Sequence, residues 1–119
     1  MNNKQAMRDS WKIEPMPEAK IQLHVDRTFT EEEYRCLQKG FLPKEMEDKW
    51  FAYFENEWLF IHRSWTWFCI YQVHLVSSGS VYSIGEIWVN GDPNQFTSRT
   101  SWDLEHPLSV VIDMILSGE

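Results

Sequence analysis

The stretch WFAYFENEWLFIHRSWTWFCIYQVHLVSSGSVYSIGEIWV, residues 50–89, decides the fold. Aromatic and β-branched residues dominate it, and two polar clusters, Glu55-Asn56-Glu57 and Ser77-Ser78-Gly79-Ser80, cut it into pieces of strand length. The pattern predicts an antiparallel meander with strands near 49–54, 58–63, 67–76 and 81–89, turning a corner at Ser64-Trp65-Thr66. In the third of these the odd positions Trp67, Cys69, Tyr71, Val73 and Leu75 are apolar, whereas Gln72 and His74 stand between them. The odd positions are therefore expected to face the core.

Upstream, Thr30 and Glu33 form a capping box, with Phe29 and Tyr34 at the hydrophobic-staple positions, which predicts a helix over about residues 31–39. Gly40 supplies its left-handed stop and Pro43 forbids continuation. Before it, Ile21-Gln22-Leu23-His24-Val25 alternates as a short edge strand does. Residues 1–20 are polar, carry Pro15 and Pro17, and show no period, so they read as a flexible arm on which Trp11 and Ile13 are the docking candidates. Downstream, Asn90-Gly91-Asp92-Pro93-Asn94 opens a polar loop that runs through Arg99. A last helix follows, with Leu104, Leu108, Val111 and Ile115 on one stripe, Asp103 as cap, Pro107 near its start and Gly118 after its end.

The 119 residues suit a single domain, here 21–119, of α+β class: a meander of four or five strands, an amino-terminal helix, and a carboxyl-terminal helix packed on the sheet. Seven Trp, seven Phe and four Tyr mean that much of the core is flat rings. Eleven basic against 18 acidic residues give a net charge of -7, which removes the counterion-release term behind nucleic-acid binding. No apolar run reaches the length of a membrane span and the first residues lack a signal-peptide core, so a cytoplasmic protein without a membrane partner is expected. Cys36 and Cys69 are too few for a disulfide framework and are expected as reduced, packed thiols.

The chemistry concentrates in His62-Arg63-Ser64-Trp65-Thr66-Trp67 at an expected strand end. A guanidinium fork pairs with phosphate or carboxylate, hydroxyls add short hydrogen bonds, and an indole offers a flat face to a ring. His62, Arg63, Ser64, Trp65 and Thr66 are therefore the candidate ligand-binding residues. The bland alternative makes the indoles core, the hydroxyls turn caps and Arg63 one half of a surface ion pair. His24, His62, His74 and His106 include no close His or Cys pair, so no metal and no cofactor is expected. His24 with Asp26 on one strand face, and His62 as base to Ser64, are the only visible catalytic pairings, and no nucleophile-elbow glycines flank Ser64.

The run Met46-Glu47-Asp48-Lys49-Trp50-Phe51, then Trp58-Leu59-Phe60-Ile61-His62-Arg63-Ser64-Trp65-Thr66 and Cys69-Ile70-Tyr71, resembles a small bacterial domain found alone or beside macro-type or ADP-ribosylglycohydrolase modules. The resemblance covers roughly residues 20–117 and implies an accessory module in nucleotide or ADP-ribose biology, with Arg63, Ser64 and Thr66 matching its most distinctive motif. It implies no catalytic residue. After Thr66 the pattern has Gly, and this chain has Trp67. The expected function is thus a non-enzymatic binding module for a small anionic ligand. A protein-interaction domain of inhibitor or immunity type is the alternative, and a small hydrolase comes last.

Overall fold

The computed structural model describes residues 5–96 and 101–117, with side chains for 5–96 and 104–117. The stop Gly118 and the loop residues Thr97, Ser98 and Arg99 lie outside these limits, as does the side chain of the expected cap Asp103. Among the described residues, one 3-10 turn, Arg8–Ser10, precedes six strands and two helices: β1 (Lys20–Leu23), β2 (Thr28–Phe29), α1 (Glu31–Lys39), β3 (Trp50–Glu55), β4 (Trp58–Arg63), β5 (Cys69–Ser78), β6 (Val81–Asn90) and α2 (Ser101–Ser117). The class is α+β with one antiparallel sheet, in the order β1-β6-β5-β4-β3. The strand beyond the expected four or five is β2, which pairs with β6 at Thr28↔Ser83 and Phe29↔Tyr82 and so continues the edge that β1 begins. No helix among the described residues is long and apolar enough to cross a membrane.

Helix α1 forms because both ends are closed locally. Thr30 Oγ1 accepts from the Glu33 amide at 3.1 Å and Glu33 Oε1 accepts from the Thr30 amide at 2.9 Å. At the other end Gly40 takes φ 71°, and a Cβ there would lie 2.2 Å from the Ala52 carbonyl oxygen, so no larger residue fits. Helix α2 begins two residues before the expected cap, which leaves Pro107 inside the helix rather than near its entrance. Its buried stripe is Leu108, Val111, Ile112 and Ile115, and Tyr71 ties it to the sheet by donating to the Leu104 carbonyl at 2.8 Å.

Strand alternation gives the sheet two different faces. Leu59, Ile61, Tyr71, Val73, Ile87 and Val89 meet Leu37 of α1 and the α2 stripe in one aliphatic core. Phe51 and Tyr53 point the other way and are covered by Ala6, Trp11 and Ile13. Residues 6–14 of the segment expected as a flexible arm therefore lie along this second face. The Ala6 amide donates to the Lys39 carbonyl at 2.8 Å, the Trp11 indole to the Ser64 carbonyl at 2.9 Å, and the Glu14 amide to the Trp67 carbonyl at 2.8 Å. Exclusion of water from the aromatic rings accounts for this docking, and periodicity gives no sign of it.

Strand β5 starts at Cys69, two residues later than expected, because Trp67 adopts φ 70°. That left-handed conformation costs a residue with a Cβ on the order of 1 kcal/mol and breaks the extended run.

Candidate functional site

The turn after β4 spreads the five candidate residues over different environments. Arg63 and His62 are neighbours on a strand, so their side chains leave opposite faces of the sheet. Ser64 is buried, its hydroxyl donating to the Asp48 carbonyl at 2.7 Å and its amide to the Lys49 carbonyl at 2.8 Å. It is a strut of the turn. Trp65 and Thr66 are exposed at the tip, and the Trp65 indole donates to the Met46 carbonyl at 3.0 Å. The pairing of His62 with Ser64 that a hydrolase would need is not made, because the Ser64 hydroxyl is directed to Asp48.

Arg63 lies with its guanidinium 4.8 Å from the centre of the Trp50 ring. Together with Lys49 and Trp65 it lines a recess of about 260 Å³. Among the described residues, no carboxylate lines this recess and no ion pair holds either cation. Asp48, adjacent in sequence, is turned to other work: its carboxylate accepts from the Lys44 and Glu45 amides at 2.8 and 3.1 Å. Lys49 was missed by inspection of sequence because it belongs to the approach to β3. Antiparallel pairing alone sets it against Ser64, and the meander pattern was the available signal.

His62 occupies the opposite face, 2% exposed, stacked on Tyr53 with ring centroids 5.9 Å apart. Its Nδ1 is 3.1 Å from the Trp67 carbonyl, an acceptor, so Nδ1 carries the proton and Nε2 presents a bare lone pair. Nε2 is buried without a partner. Burial disfavours the imidazolium and lowers the pKa to about 4, against a smaller opposing effect of the Trp67 carbonyl. Opposite it on β5, burial pushes the Cys69 thiol up to about 12, so this thiol is no ready nucleophile. A cavity of about 290 Å³ separates this part of the sheet from the arm, with Tyr53, His62, Cys69 and Gln72 on one side and Ile13, Pro15 and Met16 on the other.

Among the described residues, the remaining histidines join no group that could hold a metal ion. His24 and Asp26 fall in the exposed link between β1 and β2 rather than on one strand face. His74 stacks on Trp58 at 4.8 Å and approaches Glu57 at 3.5 Å. Both cysteines are free thiols, Cys69 buried and Cys36 half-buried. No protein-family model matches the chain, no curated protein matches it, and no solved structure matches it.

Proposed function

We propose that this domain is a non-enzymatic binding module for a small anionic ligand, of the nucleotide or ADP-ribose class, held by Lys49 and Arg63 with Trp65 as the flat wall. One observation carries the reading. In a chain of net charge -7, two cations and an indole share a recess with no carboxylate among its described lining residues. Unneutralised cations held together attract a counter-anion, and a guanidinium already braced on an aromatic ring loses little freedom on binding. Thr66, exposed on the same turn, is one of the positions matching the motif that the resemblance marks as distinctive.

The test is a thermal-shift series with ADP-ribose, NAD, mononucleotides and small carboxylates on the wild type, Lys49→Ala and Arg63→Ala. Ligand at 100 times Kd adds about 2.7 kcal/mol, several degrees in a domain of this size. A rise in Tm with at least one ligand, lost in Lys49→Ala, supports the reading. Lys49 is exposed, so its variant keeps the fold. No rise with any ligand overturns it.

A second reading has its own observation. Met46 is 77% and Trp65 65% exposed, side by side in an acidic protein. Exposed apolar anchors beside charge suit a basic protein partner. Salt-sensitive association with such a partner and silence towards small anions would select this alternative.

A further inference from the structure

His62 Nε2 is the one buried side-chain nitrogen or oxygen without a partner among the described residues. Such an acceptor has given up its hydrogen bond to water and gained none in return. Its ring is held as metal-binding imidazoles are held: the other nitrogen donates to a backbone carbonyl, which fixes the tautomer and the orientation and leaves the bare lone pair outward from that bond. Two soft donors line the same cavity. Cys69 is the cross-strand partner of His62, set there by the register shift between Ile61 and His62, so their Cβ atoms are separated by roughly 5 Å on one face. Met16 enters from the arm.

We propose that His62 and Cys69, with the Met16 thioether as third donor, form a binding site for a soft monovalent metal ion, copper(I) being the physiological member of that class. Thiolate, thioether and imidazole are the donors that select copper(I). Zinc asks for four ligands, and no group of three or more His, Cys, Asp or Glu that could hold it occurs among the described residues. Charge points the same way. One thiolate and a monovalent ion sum to zero, which suits walls built from Ile13, Pro15, Tyr53 and Phe60, whereas a divalent ion would leave a net positive charge there. Arg8 and Glu14 also line the cavity, and the Arg8 guanidinium is already paired with Glu55. On binding, the Cys69 S–H bond breaks, its proton passes to solvent, and a sulfur–metal bond forms. The ion arrives as copper(I), so no electron is transferred.

The sequence hides this site because His62 and Cys69 are separated by six residues, outside familiar ligand spacings, and meet only through the bulged pairing of β4 with β5. The experiment is an anaerobic copper(I) titration against bicinchoninate, using Cys36→Ser so that Cys69 is the sole thiol. One equivalent per chain is expected, with affinity lowered on the order of 100-fold or more by adding Cys69→Ser or His62→Gln. X-ray absorption at the copper edge of the loaded Cys36→Ser protein tests the unaltered donor set, whatever the folding of the double variants. Sulfur with one imidazole nitrogen is expected. No retention against the chelator, retention undiminished by Cys69→Ser, or a copper shell without sulfur overturns the proposal.

Discussion

The two faces of the sheet solve the same problem with different materials. Towards the helices, β-strand residues such as Ile61, Val73 and Ile87 are fully buried against Leu37, Leu108 and Val111, and no ionisable side chain lies among the buried members of that cluster except the Tyr71 phenol, whose hydroxyl is bonded to Leu104. Towards the arm, the buried sheet residues include Phe51, Tyr53, His62 and Cys69, and the cover is a segment with one 3-10 turn and backbone bonds to Lys39 and Trp67. The difference teaches where stability and chemistry reside. An aliphatic layer between regular elements interdigitates and tolerates no gaps. A ring-rich layer under an irregular strap leaves a cavity and an unpaired imidazole nitrogen.

The largest expected effect belongs to the helical face. Ile61→Ala empties a fully buried site between sheet and helices and should cost about 3–4 kcal/mol, read as a fall in the urea midpoint at unchanged slope. A cost below about 1 kcal/mol would mean that this face relaxes around the cavity and is no tighter than the other.

The arm face should instead be the one that responds to pH. In the unfolded metal-free chain the imidazole of His62 takes a proton near its usual 6.5, whereas in the fold burial delays this to about 4. Between those values the unfolded chain binds more protons, so this contribution is complete above about pH 6.5, declines as pH falls, and is exhausted below about 4. At pH 5 the loss is about 2 kcal/mol. Comparing wild type with His62→Phe at pH 7 and pH 5 isolates it from the carboxylates, which titrate in both. Parallel stability curves would show that the orphan imidazole is accommodated in its charged form. Trp11→Ala comes next, at about 1–2 kcal/mol, for a ring stacked on Phe51 at 6.3 Å and an indole bond to Ser64. A cost matching that of Ile61→Ala would make the arm an integral part of the core.

Legibility divides along the same line. The helical face was open to reading because its signals are local or periodic: Thr30 and Glu33 close their box within one turn, and the strands around Glu55-Asn56-Glu57 announce their own ends. β2 escaped because two residues cannot display a period, and the start of β5 shifted because Trp67 accepts a conformation that its side chain disfavours. The arm escaped because Ala6 and Trp11 find partners far along the chain, at Lys39 and Ser64. For the candidate site, the period of two already implied that His62 and Arg63 diverge, a consequence outweighed by their proximity in sequence. Lys49 beside Arg63, and Cys69 opposite His62, depend on register, which no single segment encodes.

The smallest expected effect asks what holds the arm down. Arg8 forms a two-pronged contact with Glu55, its Nε 3.1 Å from one carboxylate oxygen and an Nη 2.6 Å from the other. The geometry is favourable, yet the Arg8 side chain is 64% exposed, where water and salt screen the charges and ordering two long side chains opposes the gain. The bonds that water reaches least are those of Ala6, 1% exposed, to Lys39, and of the Trp11 indole to Ser64. Arg8→Ala should therefore leave the urea midpoint unchanged and the exchange of the Ala6 amide slow. Trp11→Ala should speed that exchange, because loss of the docked ring admits water along the strap. If Arg8→Ala alone releases the Ala6 amide, the arm is fastened by its surface charge. The two faces of the sheet would then differ in kind, one closed by burial and the other by a clasp that salt can open.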